Sequence, residues 1–267
     1  MARFGVFLSL FALVVVTASA QTLTTSQAPP ASDPQAIAIA TKSVFAMTGG
    51  TSVSDATLNA TVTWIAGSDY ETGTGTFSAK GISESRVDLN LSDQAESEVR
   101  TSSQGTPSGQ WKKAANAVAP SAQHNCWTDA AWFFPALSSL SQVANPNFIF
   151  SYIGQEQHNE IATVHIRVTQ LLPGDTPKLN LSRLSRMDFY LDPNSFLPIA
   201  ITFNTHPDED VNRDIPEEIR FAGFQSVNGV QVPFHIQQLF NGTLLMDVIV
   251  NNANINTGLS DTEFTLQ

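Results

Sequence analysis

Cysteine is nearly absent: Cys126 stands alone in 267 residues, which excludes an internal disulfide framework and any cysteine-rich zinc site. Stability must therefore come from burial. Cations are scarce as well. Thirteen Lys and Arg face 24 Asp and Glu, for a net charge of −11, and a surface of that sign repels nucleic acid and anionic membranes. Neither is expected as a partner. No G-x-S-x-G, S-x-x-K, C-x-x-C or H-E-x-x-H occurs, so no catalytic residue, metal ligand or cofactor is assigned and no enzyme is expected. Gly73-Thr74-Gly75 resembles the start of a dinucleotide loop, but it lies within a strand pattern and no helix follows. The apolar run Phe4–Val16 is too short to span a bilayer, and no integral membrane span is expected.

That run does have an explanation. Arg3 supplies a basic start, and Ala18-Ser19-Ala20 before Gln21 is a small-x-small cleavage site. Residues 1–20 read as a cleaved signal peptide, which predicts a periplasmic or secreted product. Residues 21–32, rich in Thr, Ser, Ala and Pro, read as a disordered linker. Asp33-Pro34 then looks like an N-cap with proline in the first turn. Ile37, Ala40, Val44 and Met47 share a face of the helix that follows, and Gly49-Gly50 ends it.

Period-two alternation fills most of the rest. Leu58, Ala60, Val62 and Trp64 alternate with Asn59, Thr61 and Thr63. Further alternating runs lie at Val87–Leu91, Glu160–Leu171, Leu197–Phe203, Val230–Phe240 and Leu244–Val250. Gly73 and Gly75, inside the run Thr72–Lys80, suggest a bend, a bulge or a close backbone approach. Asn228-Gly229 and Asn241-Gly242 are hairpin signals, because a type I′ turn needs positive φ at both positions. Ten or eleven strands in meander order predict a mainly β (α+β) fold. Its core would be a single curved antiparallel sheet, greasy on one side.

The middle breaks the alternation. In Trp127–Ala144 the apolar residues Ala130, Phe133, Phe134, Leu137, Leu140 and Ala144 recur at helical spacing. The spacing predicts a central aromatic helix, kinked or split at Pro135. Three other features admit two readings each. His124-Asn125-Cys126 is either a thiol activated by histidine or a packed loop, and the lone cysteine favours the loop. The acidic stretch from His206 to Asp214 is either a calcium loop or a solvated turn, and its spacing is not that of a calcium loop. The N-x-S/T triplets at Asn59, Asn90, Asn180 and Asn241 are either glycan acceptors of a eukaryotic secreted chain or chance triplets, and in a chain so rich in these residues they read as incidental.

The last third of the chain carries a resemblance. Phe189-Tyr-Leu-Asp-Pro-Asn-Ser-Phe-Leu-Pro198 is similar to the strand–turn–strand of the LolA-like family of periplasmic lipoprotein carriers, whose relatives include LolB, RseB, LppX and LprG. Phe224-Gln-Ser-Val-Asn-Gly-Val-Gln-Val-Pro-Phe234 resembles that family's VNGV hairpin, and Asn254–Phe264 resembles its closing segment. Two loops, near Ser102–Gly109 and Pro207–Asp214, are extra. The resemblance implies one LolA-like half-barrel domain over residues 33–267, half open, with the N-terminal helix and the aromatic lid on its apolar face. It also implies a non-enzymatic binder or carrier of lipid or lipoprotein acyl chains. Trp64, Phe133, Phe134, Leu137, Phe189, Phe203, Phe234 and Met246 are the candidate cavity residues. The alternative is an envelope sensor or protein-interaction module that uses the concave sheet face for an envelope protein partner and carries no lipid.

Overall fold

The computed structural model describes residues 30–266, so the expected signal peptide and nearly all of the expected linker lie outside the described residues. Helix α1 (Pro34–Thr48) starts and stops where its caps say. The Asp33 carboxylate accepts the Gln35 amide, Pro34 opens the first turn, and Gly49 closes the helix at φ 58°. Ala36, Ile39, Ala40 and Met47 are buried beneath it.

Six strands follow as a meander: β1 (Asp55–Ala66), β2 (Asp69–Lys80), β3 (Glu84–Leu91), β4 (Ala95–Ser103), β5 (Thr106–Lys113) and the two-residue β6 (Ala119–Pro120). A second meander holds β7 (Phe148–His158), β8 (Ile161–Gln170), β9 (Met187–Leu191), β10 (Pro198–Thr205) and β11 (Ile215–Ala222). β12 (Gln225–Val227) and β13 (Val230–Val232) form a separate ribbon, and β14 (His235–Phe240) and β15 (Thr243–Ile255) return to the main sheet. The two meanders join in the middle, where β1 pairs with β15. The result is a thirteen-stranded antiparallel sheet that is not closed, with β6 and β7 as its edges.

The strand count exceeds the expected ten or eleven for local reasons. Pro233 has no amide to give a ladder, so the expected strand Val230–Phe240 breaks into β13 and β14. Gly223, at φ 62°, turns the backbone out of the extended region and so breaks Glu218–Gln225. The expected loop at Ser102–Gly109 is a two-residue hairpin turn, Gln104-Gly105, with both residues at positive φ. Both Asn-Gly turns take the expected positive φ at both positions.

The inner face of the sheet carries Leu58, Val62, Phe77, Val87, Leu89, Ile166, Phe189, Ile201, Ile219, Ile236 and Val248, all buried in one cluster with α1 and the β13 valines. At Asn251 an extra residue opposes the Asn59–Ala60 step, so β15 changes phase and returns Ala253 and Ile255 to the core. The outer face of β3 and β4 is covered by the C-terminal turn Asp261–Phe264. Phe264 is buried there, and Arg86 Nη1 donates to the Glu263 and Thr265 carbonyls.

The central aromatic helix is not formed. Trp127–Ala144 is an irregular strap with two short 3-10 turns, Pro135–Leu137 and Ser139–Ser141, and another turn, Gln123–Trp127, leads into it. Side chains take the backbone groups a helix would have used. Both Asp129 carboxylate oxygens lie 3.0 Å from the Ser139 amide, Ser138 Oγ donates to the Pro135 carbonyl, and Ser141 Oγ donates to the Ser138 carbonyl. Ala131 and Ala136 are buried along with Phe133, Phe134, Leu137 and Leu140. The strap is therefore enclosed on several sides, and its helical spacing marks burial alone.

Candidate functional site

The sheet curls around this strap. Arg100 on β4 and Glu217 on β11 are six strand spacings apart, about 29 Å in a flat sheet. Both line the same cavity, and the Arg100 charge acts on the Glu217 carboxyl. Across the same gap Asn125 Nδ2 donates to the His206 carbonyl, and the His206 amide donates to Asn125 Oδ1, each at 2.8 Å.

The eight candidate cavity residues are spread through one large apolar core, six of them buried in it and two packed against it. Phe133, Phe134 and Phe189 have no exposed surface, and Leu137, Phe203 and Met246 are also buried. Trp64 and Phe234 are half-buried and pack against the same cluster. Phe77 packs against Phe133 with ring centroids 5.4 Å apart, and the Trp132 ring meets both edge-on. The chain's own strap thus lies where an acyl chain inside the sheet would lie.

Open space begins at the rim of that core. A groove of about 540 Å³ runs between the C-terminal half of α1, the β2–β3 turn and the strap from Ala136 to Val143. Val44, Phe45, Val53, Ile82, Leu137 and Val143 give it an apolar lining. Phe45 stands 66% exposed at its lip. Of the eight candidates, only Leu137 reaches this groove. Phe45 escaped sequence reasoning because it lies outside the helix stripe; a phenylalanine on the wrong face of an amphipathic helix was the available signal.

The second opening is polar. On β4 the side chains of Glu96, Glu98 and Arg100 share the inner face, since they pair across from Leu89, Val87 and Ser85. With Trp111, Trp132, Phe203, Asp208 and Glu217 they line a mouth of about 280 Å³. Burial pushes the Glu217 and Glu96 carboxyls up, although Gln238 and Lys113 respectively pull them back. Arg100 donates to the Asn125 and Thr128 carbonyls and so ties the strap to β4.

The remaining candidates resolve into structure. The thiol of Cys126 is pushed up by burial and donates to the Ala122 carbonyl, so it is not an activated nucleophile. The His124 ring faces His206 at 5.8 Å. In the acidic stretch, Asp214 lies 3.0 Å from His206 Nε2. Among the described residues no group of His, Cys, Asp or Glu is arranged to hold a metal ion, and no helix is long and apolar enough to cross a membrane.

No protein-family model and no curated protein matches the sequence. Solved structures do match the fold. A domain described as an outer membrane lipoprotein-sorting protein, from Vibrio parahaemolyticus, superposes with a TM-score of 0.56 at 13% identity, covering 85% of this chain and 95% of that one. A DUF1329 family protein from Desulfovibrio piger gives 0.55 at 13% identity, covering 86% and 96%. A LolA superfamily protein from Nitrosomonas europaea gives 0.52 at 11% identity, covering 86% and 97%. Open thirteen-stranded sheet, N-terminal helix and enclosed strap together make this a chain with the LolA-like fold.

Proposed function

We propose that the protein is an exported, non-enzymatic binder or carrier of lipid or lipoprotein acyl chains, acting in the periplasm or outside the cell. The observation that carries this reading is the apolar groove beside α1, open to solvent and continuous with the core of a LolA-like fold. Each methylene buried there contributes about 0.8 kcal/mol, so the groove needs no catalytic group to hold a chain. The ligand lies at the rim of the core, against Val44, Phe45 and Val143, and of the eight candidate residues only Leu137 lines the groove.

The test is native mass spectrometry of protein purified from its own envelope fraction, followed by displacement of a fluorescent fatty acid. Lipid adducts and displacement are expected. Val44→Asp should weaken the fatty acid at least tenfold with a small change in Tm, because Val44 is only half-buried. Adduct-free protein that also fails to bind the probe removes the carrier reading.

A second reading, the envelope sensor or interaction module, draws on the acidic mouth. Glu96, Glu98, Asp208 and Glu217 beside the exposed Trp111 suit a lysine- or arginine-rich segment of a partner protein. Lipid-free protein that binds a basic peptide, weakly at high salt and not at all as Glu98→Lys, selects this reading.

A further inference from the structure

The outer face of the sheet holds a depression that neither reading uses. Its volume is about 320 Å³, and it lies between the tip of the β7–β8 hairpin and the backs of β10, β11 and β14. Ala200 and Ala222 leave the space, with Ile161 and Ile199 as taller apolar walls. Ile161 is 50% exposed.

The polar walls are His158, Arg220 and His235, joined by Asn159 and Gln237. In a chain of net charge −11, no carboxylate lines this depression among the described residues. The acids stand behind the walls. Glu218 accepts Arg220 Nε at 2.8 Å, Arg220 Nη2 at 3.2 Å and Asn159 Nδ2 at 2.6 Å, and it lies 2.9 Å from His158 Nε2. Asp247 accepts Gln237 Nε2 and lies 2.8 Å from His235 Nε2. Burial pushes the Glu218 carboxyl up, but hydrogen bonds from Arg220, His158 and Asn159 outweigh it and hold the group below its usual value. Glu218 therefore stays ionised and fixes Arg220 in place. Arg220 Nη2 also donates to Asn159 Oδ1, while Nη1 has no hydrogen-bond partner among the described residues. The Tyr190 ring, stacked 3.7 Å from His158, fixes that wall too.

An oriented guanidinium with a spare donor recognises an anionic oxygen. Apolar walls beside it recognise a hydrocarbon body, and the volume sits at the low end for ligand sites. The long-range repulsion of the acidic chain is screened beyond roughly 8 Å at physiological salt, so the local donors decide. We propose that this outer-face depression binds a small organic carboxylate, its head on Arg220 and a single ring or short chain against Ile161, Ile199 and the two alanines. The site is independent of the inner groove.

The test is a chemical-shift titration of the full-length chain with phenylacetate, phenylacetamide and inorganic phosphate at 150 mM salt. Phenylacetate should give saturable shifts centred on Ala200, Ala222 and Gln237. Phenylacetamide, which lacks the charge, and phosphate, which lacks the ring, should each bind at least tenfold more weakly. Arg220→Gln and Ala222→Leu should lower phenylacetate affinity by a similar factor, with chemical shifts elsewhere unchanged; Ala222 is exposed, so its substitution spares the core. Absence of saturable shifts, equal binding of the amide or of phosphate, or unchanged affinity in both variants overturns the proposal.

Discussion

Asp129 is buried in the strap, and its carboxylate accepts the Ser139 amide and hydroxyl at 3.0 Å. Burial lifts its carboxyl from an ordinary 3.8 to about 6, although Ser139 and the Arg100 charge pull it down. At pH values below the ordinary range the folded and unfolded states both carry the proton, and the group has no effect on stability. As pH rises, the unfolded chain ionises first, so stability falls until the folded carboxyl also ionises. Above that the full penalty, on the order of 3 kcal/mol, stands. Asp129→Asn keeps an oxygen for the Ser139 amide and removes the charge. It is expected to match the parent near pH 3, below both values, and to exceed its Tm at pH 7.5, at roughly 2–4 °C per kcal/mol. The difference between the two Tm curves is the measurement, because Asp55 and Asp188 act with the opposite sign. Hydrogen bonds outweigh burial at both and hold their carboxyls low, so their stabilisation is lost as pH falls. Two Tm curves that run parallel would refute this account of Asp129.

At the scale of the element, β2 depends on having no side chain at Gly73. A Cβ there would lie 2.0 Å from the Asn90 carbonyl oxygen and 2.8 Å from Leu91 Cα, both backbone atoms of β3 that cannot turn away. Gly73→Ala should therefore cost about 1–3 kcal/mol, read as a lower denaturant midpoint. An unchanged midpoint would mean that the two strands separate more easily than the register implies. A special role for Gly73 was legible in the sequence, as a bend, a bulge or a close backbone approach, because one residue sets it locally. Helix α1 and both Asn-Gly hairpins were legible for the same reason, as each depends on one or two residues acting locally. The strap was not. Its apolar spacing is compatible with a helix, and only the hydrogen bonds that Asp129 and Ser138 make within the strap show why the backbone goes elsewhere. The burial of Phe133, Phe134 and Phe189 was legible, but alternation cannot distinguish a wall from a plug, and the open groove hinges on Phe45, a residue outside every pattern.

The whole molecule is organised by a long-range pairing. β1 and β15 meet at the centre of the sheet, and Asn251 Nδ2 bonds Thr61 Oγ1 across a separation of 190 residues. Closing so large a loop before its contacts form is slow, so refolding should take milliseconds to seconds or longer, measured by stopped-flow tryptophan fluorescence. Microsecond refolding would show that the central pairing is not needed at the barrier. The same pairing also divides the chain. Every strand from β1 to β6 precedes Asn145 and every strand from β7 to β15 follows it, so a cut between the half-buried Asn145 and the exposed Pro146 separates two half-sheets without severing a strand. The halves still share the β1–β15 ladder and the strap between them. Expressed as separate polypeptides, they should find each other and rebuild the sheet, which would make the protein a natural candidate for a two-part reporter whose signal is its own reassembly.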